Sequence, residues 1–266
     1  MLKTEMRNPR STHIDKMETN AILKLMNDEN RRTVDAVEAA LDQLTVLCDE
    51  TVKRMEKGGR LFYMGAGTSG RLGVLDASEC PPTFGVSSDM VIGIIAGGDR
   101  CLRNAAEGEE DSGEAGVKDL AAYNITENDV IVGISAAGGA AYVVEALRFA
   151  HSKGALTASV SSNYDTPIER EADIPIVADT GAEVVTGSTR LKAGTAQKLI
   201  LNMLSTTVMI KTGKVYENMM INLKPSNIKL RQRVIRITCE ILGCDVAEAV
   251  ARLENNEWSI RRAVEQ

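Results

Sequence analysis

The chain of 266 residues is poor in the groups that most often move protons or hold metals. It has two histidines, His13 in a polar N-terminal segment and His151 closing a predicted surface helix before Lys153-Gly154. Both read as surface or capping residues. Acid–base work in this chain would therefore fall to carboxylates, which serve when burial raises a pKa towards neutrality. Five cysteines (Cys48, Cys80, Cys101, Cys239, Cys244) include no C-x-x-C pair, which argues against a disulfide framework or a zinc site and fits a reduced cytosol. There is no basic excess: the net charge is −6 and charges of both signs are interspersed, which argues against a nucleic-acid partner. No apolar run is long enough to span a bilayer, and the polar start, Met1 to Arg7, has no signal-peptide core. These absences imply a soluble, cytoplasmic protein with no membrane partner. No internal repeat or low-complexity tract interrupts it.

What is present is organised around residues 61–73. The apolar run Leu61-Phe62-Tyr63-Met64 ends in Gly65-Ala66-Gly67-Thr68-Ser69-Gly70, and a helix can follow. The pattern predicts a buried strand delivering a loop whose backbone N–H groups converge on an anion such as a phosphate. Thr68 and Ser69 add hydroxyl donors. A turn whose glycines serve only packing is the plainer alternative. Dinucleotide binding through Gly65, Gly67 and Gly70 is weaker, because Pro81-Pro82 interrupts the helix and no acid sits at the tip of the second strand.

Along the chain, residues 1–20 read as an extended polar arm suited to packing on a partner. Residues 28–57 predict one long helix, N-capped by Asp28, with Val34, Val37, Leu41, Leu44, Leu47, Val52 and Met55 as its apolar stripe and Gly58-Gly59 as its stop. Strands are predicted at 60–64, 90–96, 130–135, 156–160 and 174–177, the last an edge because of Pro175. A helical turn ending in the double proline, polar helices over 100–123, a second small-residue loop at 136–141 and a helix over 142–152 lie between them. Residues 186–195 open a long helix reaching about 211, whose N-terminus is expected to offer free N–H groups beside the hydroxyls of Ser188 and Thr189. Simple N-capping by Ser188 is its plainer role. Three further helices, 228–242, 246–255 and 259–265, form a cap. Strands alternating with helices, each strand nearly all apolar, predict an α/β fold: a parallel five-stranded sheet with helices on both faces. Ligands in such sheets bind beyond the carboxyl ends of the strands, so both glycine loops point to one rim.

Several long strings together resemble the N-acetylmuramic acid 6-phosphate etherases, enzymes of the sugar isomerase (SIS) fold. They are Gly65-Ala66-Gly67-Thr68-Ser69-Gly70-Arg71-Leu72-Gly73, Asp76-Ala77-Ser78-Glu79-Cys80-Pro81-Pro82-Thr83, Glu107-Gly108 with Glu110-Asp111, Gly181-Ala182-Glu183-Val184-Val185-Thr186-Gly187-Ser188, and Lys192-Ala193-Gly194-Thr195-Ala196-Gln197-Lys198. The glucokinase regulatory protein is a more distant relative. The resemblance implies elimination of lactate from C3 of an amino sugar phosphate followed by addition of water, with no metal or redox cofactor. It implies Glu79 as the acid that protonates the departing lactate and Glu110 as the base at C2. It also implies phosphate binding through Gly67, Thr68, Ser69, Ser188 and Thr189, and a homodimer whose subunits help complete each other's sites. On its own, Glu110 reads equally as a solvated helix acid. The resulting organisation is an N-terminal arm and helix (1–57), an SIS sugar-phosphate domain (58–225) and a small helical cap (226–266).

The sequence departs from the family in two places. The loop after the third strand, where the etherases carry a Ser-Gly-Arg-Thr-Pro type string, reads Ala137-Gly138-Gly139-Ala140-Ala141 and has lost both hydroxyls and the arginine. Weaker phosphate binding is expected, and a sugar-phosphate-binding regulatory protein with little turnover is the alternative function. The etherases also continue with further helices beyond the point matching Val264-Glu265-Gln266.

Overall fold

A computed structural model describes residues 1–104, 108–223, 225 and 228–264. In chain order the helices are α1 (Thr19–Glu38), α2 (Leu41–Met55), α3 (Gly67–Phe84), α4 (Arg100–Arg103), α5 (Gly113–Ala121), α6 (Ala141–Ser152), α7 (Pro167–Arg170), α8 (Lys192–Lys211), α9 (Ile228–Leu242), α10 (Val246–Asn255) and α11 (Ile260–Val264). Strands β1 (Leu61–Gly65), β2 (Val91–Ile95), β3 (Val130–Ile134), β4 (Leu156–Ser161) and β5 (Ile174–Val177) form one parallel sheet in the order β2-β1-β3-β4-β5. Pro175 falls on an edge strand, where its missing N–H leaves no ladder bond unmade.

The alternation of side chains along a strand sorts the core into two layers. Leu61 and Tyr63 of β1, with Val130, Val132 and Ile134 of β3, pack against residues of α1, α2, α3 and α8. Phe62, Met64 and Ile131 point the other way, onto residues of α5, α6 and α7. Both faces are covered, so the strands are largely apolar, with Thr157, Ser159 and Ser161 of β4 as buried exceptions. Each large side chain buried completely here, such as Leu47 or Ile131, contributes about 1.5–3 kcal/mol relative to exposure. A third cluster lies at the C-terminal end, where Ile221 and Leu223 pack with Val234, Ile237, Leu253, Ile260 and Ala263. The short antiparallel hairpin β6 (Val215–Tyr216) and β7 (Met219–Met220), which precedes this cluster, was not anticipated from the sequence.

Three expectations are corrected. The predicted helix over 28–57 is two helices that part at Ala39-Ala40, where Ala40 leaves the helical region at φ −102° and ψ 2°. Val37 and Leu44 are buried there, while Val34 and Leu41 are exposed. Asp28 lies inside α1 and does not cap it. The N-terminal arm is neither extended nor free: it forms three 3-10 turns (Lys3–Glu5, Pro9–Ser11, Ile14–Lys16) folded against its own chain. Finally, α3 runs through Pro81 and Pro82 instead of stopping before them. The two prolines sit in its last turn, and Gly85 closes the helix, its N–H bonding Pro81 O at 2.9 Å. Glu107 and the end of the 259–265 helix, Glu265, lie outside the described residues.

Candidate active site

At the carboxyl ends of β1 and β3 lies a cavity of about 330 Å³, within the size range of small-molecule sites. Its wall includes Gly67, Thr68 and Ser69 at the start of α3, Ala136, Ala137 and Ala140 after β3, and Gly187 and Thr189 from the loop before α8. Glu110 also faces it, from the 3-10 turn Glu109–Asp111. Topology explains the convergence: in a parallel sheet every strand delivers its following loop to the same rim.

The β1 turn is tight because Gly65 and Gly70 touch. A Cβ on Gly70 would come within 2.5 Å of Gly65 O, so only glycine fits. The chain enters α3 without a side-chain cap, which leaves the first N–H groups of an 18-residue helix at the cavity wall. Ser69 is buried and donates from Oγ to Gln197 Oε1 at 3.0 Å, while Gln197 Nε2 has no partner among the described residues. For Ser69 to give that proton to an anion, Gln197 must turn its amide so that Nε2 donates to the serine oxygen instead. Both residues have the donor and acceptor capacity for that exchange.

The segment bearing Glu110 is tied down on both sides. Arg71 of α3 donates to Leu102 O (3.0 Å) and Asn104 O (3.4 Å). Ser112 caps α5 by accepting from Ala115 N at 3.2 Å, and Glu109 pairs with Arg100. These contacts hold a solvent-accessible carboxylate at the cavity mouth.

The loop before α8 differs from its expected form. The helix begins at Lys192, not at Ser188, and its first amides are not free. Buried Glu183 accepts from Lys192 N (3.1 Å) and Ala193 N (3.0 Å), sealing the positive end of the helix. Ser188 neither caps α8 nor lines the cavity, although its neighbour Thr189 does. The Lys192 side chain turns inward to Glu29 of α1 (Nζ–Oε2 2.6 Å), and Asn8 and Arg10 of the arm complete the cluster at 2.9 and 2.8 Å. Burial alone would push the Glu29 carboxyl up. The hydrogen bond and charge of Lys192, helped by Asn8 and Arg32, outweigh burial and hold it below the ordinary glutamate value.

Of the predicted site residues, Gly67, Thr68, Ser69, Glu110 and Thr189 therefore share one cavity. Glu79 does not. It lies ten positions beyond Ser69 on α3, about 15 Å at 1.5 Å per residue, and is exposed. Beneath it, Asp76 is buried and receives bonds from Tyr63 (3.0 Å), Asn202 (2.5 Å) and Ser205 (3.2 Å), a brace between β1, α3 and α8. Three residues at the site were missed from the sequence: Ser135, Gln197 and Glu5. Ser135 ends the third predicted strand, and its Oγ accepts from Gly138 N at 3.1 Å. Gln197 sits inside the etherase-like string Lys192 to Lys198. Nothing local marks Glu5.

Sequence comparison extends over nearly the whole chain. An N-acetylmuramic acid 6-phosphate etherase of Clostridium beijerinckii is 51% identical over 263 residues, covering 99% of this chain and 86% of that protein. The chain belongs to the N-acetylmuramic acid 6-phosphate etherase family. A second etherase, from Halalkalibacterium halodurans, is 48% identical over 292 residues, covering 100% of this chain and 98% of its own length. The glucokinase regulatory protein N-terminal SIS domain matches residues 43–151, and the SIS domain matches residues 104–207. A solved phosphoheptose isomerase of Francisella tularensis superposes with a TM-score of 0.55 at 13% identity, over 73% of this chain and all of that one, and so shares the fold. The α/β SIS architecture of the etherase family is thus the architecture found here. Among the described residues no helix is long and apolar enough to cross a membrane.

Proposed function

We propose that this chain is an N-acetylmuramic acid 6-phosphate etherase, a cofactor-independent carbon–oxygen lyase that works in the cytoplasm on cell-wall sugars. The observation that carries this reading is one cavity holding both an open helix start with hydroxyls and a carboxylate, Glu110, within a chain half identical to named etherases. The phosphate sits at the start of α3, where backbone N–H groups, Thr68 and Ser69 receive it, with Thr189 approaching from the loop before α8. The proton on C2 of the sugar is acidic only beside the aldehyde of the opened ring. Glu110 removes it, the electron pair forms the C2–C3 double bond, and the C3–oxygen bond breaks. The ether oxygen leaves as the hydroxyl of D-lactate once an acid has protonated it. Water then adds across the double bond, its oxygen to C3 and a proton to C2, giving N-acetylglucosamine 6-phosphate.

The acid is Glu79. Its exposure on α3 and its distance from its own chain's cavity support supplying it to the site of a second copy in a homodimer. The division into arm and first helices (1–57), sugar-phosphate domain (58–225) and helical cap (226–266) belongs to the same reading. A regulatory protein that binds sugar phosphate without turnover is favoured only by the bare turn at Ala137 to Ala141. Incubation with N-acetylmuramic acid 6-phosphate in oxygen-18 water decides between them: lactate release with label at C3 is expected from the lyase, and neither from the regulator. Glu110→Gln and Glu79→Gln are each expected to lose about 10²–10⁴ in turnover at unchanged melting temperature. Full activity in either variant removes that residue from the mechanism.

A further inference from the structure

We propose that Glu5 is a substrate-contacting residue that receives hydrogen bonds from hydroxyl or amide donors on the sugar part of the ligand. The inference rests on the sugar-phosphate reading above for the class of ligand. Glu5 lines the same cavity as Thr68, Ser69 and Glu110, although it lies about sixty positions before the nearest of them in sequence.

Its place is fixed by its neighbours. Thr4 is fully buried: its backbone N–H donates to Asn163 Oδ1 (3.4 Å), and its hydroxyl accepts from Asn163 Nδ2 (3.1 Å). The same Asn163 amide donates to Ala136 O at 3.0 Å, and Ala136 is part of the cavity wall. Lys3, next to Thr4, pairs with Asp179, and Asn8, beyond Glu5, donates to Ala182 O at 3.3 Å. The arm is therefore stapled to the rim of the sheet at the residues flanking Glu5. Across the cavity edge, the loop before α8 makes room for the carboxylate. Gly187 has a φ of +73°, and a Cβ there would stand 3.2 Å from Glu5 Oε2.

Among the described residues, no hydrogen bond or ion pair involves the Glu5 side chain. Glu5 is exposed, and an ionised carboxylate only accepts hydrogen bonds, so a ligand that displaces its water must bring donors. A phosphate cannot serve, since the two anions repel, and it is drawn instead to the amides at the start of α3. A ligand with an anion at one end and several O–H and N–H groups at the other meets both demands at once. An amino sugar phosphate has that shape of chemistry, and its bonds to Glu5 would be charge-assisted.

The test compares binding of N-acetylglucosamine 6-phosphate and of inorganic phosphate by titration calorimetry in the full chain, Glu5→Gln and Glu5→Ala. Losing a hydrogen bond to a charged group weakens the sugar phosphate by about 10–100-fold in Glu5→Ala. Glu5→Gln keeps one acceptor oxygen and is expected to lose less, while inorganic phosphate binds all three alike and the melting temperature stays put. Unchanged affinity for the sugar phosphate in Glu5→Ala overturns the proposal. So does an equal loss for both ligands, which would make the residue part of the scaffold. Turnover is not needed for this comparison, so absence of lactate release would defeat the lyase reading without touching the result for Glu5.

Discussion

The starts of α3 and α8 stand on the same rim of the same sheet, and only one of them is open. At α3 the chain enters the helix uncapped, between Gly65 and Gly70, and its amides face the cavity. At α8 two buried glutamates close the helix start. Glu183 takes the backbone amides, and Glu29 takes the charge of Lys192. Both stretches have the small, hydroxyl-bearing composition of an anion loop. A helix N-terminus binds an anion only while its donors are unspent, and a carboxylate placed nine or ten residues upstream can spend them. The dipole at α8 then serves to orient its own loop, which carries Gly187 and Thr189 to the cavity.

The turn after β3 gives the largest test of this contrast. Ala137 and Ala140 line the cavity opposite α3, and neither offers a hydroxyl. Ala137→Ser combined with Ala140→Thr would add two donors. At about 1.5–3 kcal/mol per hydrogen bond to a charged group, sugar-phosphate affinity is expected to rise by up to about 10²–10⁴-fold. The measurement is the Kd for N-acetylglucosamine 6-phosphate together with KM and kcat. If all three are unchanged, the turn lies beyond reach of the anion, and the open start of α3 holds it alone.

The sealed end answers to stability instead. Glu29→Gln leaves Lys192 buried without its counter-charge, and breaking such a pair costs about 3–5 kcal/mol in denaturant unfolding at neutral pH. The sign of the pH dependence follows from the lowered folded pKa of Glu29. Its contribution is complete above the ordinary value of 4.5 and is lost as the pH falls through the lower folded value. The gap between wild type and Glu29→Gln should therefore narrow on acidification. A gap that widens, or a variant as stable as wild type at pH 7, would show that the cluster does not hold α8 in place.

How much of this was legible in the sequence depends on how local each feature is. The five strands and most of the longer helices were readable because an apolar run or a 3.6-residue stripe reports on burial by itself; the short α7 was not read. So was the β1 turn, where the close approach of Gly65 and Gly70 is written in adjacent residues. The break at Ala39-Ala40 was not, since alanine is compatible with a continuous helix and the buried positions Val37, Ala40 and Leu44 keep helical spacing across it. Glu183 and Glu29 were illegible for another reason. A carboxylate that caps a helix nine residues away, or pairs with a lysine more than 160 residues away, leaves no spacing signal. Glu5 belongs to the same class: its place in the cavity depends on Thr4 meeting Asn163, a contact that only the folded chain makes.

The smallest effect is the most discriminating, because it sets one variant at each helix start against the other. Ser69→Ala removes the hydroxyl that now bonds Gln197 at the open start. It is expected to weaken sugar phosphate by about 10–100-fold with little change in melting temperature. Glu183→Gln at the sealed start keeps the shape of the side chain but offers only one acceptor to two amides, at a cost of about 1–3 kcal/mol in stability. Its affinity for inorganic phosphate should match wild type. The two variants thus trade places on the two axes, binding and stability. If Glu183→Gln weakens phosphate as strongly as Ser69→Ala, then both helix starts feed one anion site and the distinction between open and sealed collapses. If instead it tightens phosphate, removing the carboxylate has unmasked amides at α8, which would show that the two starts differ only in what plugs them.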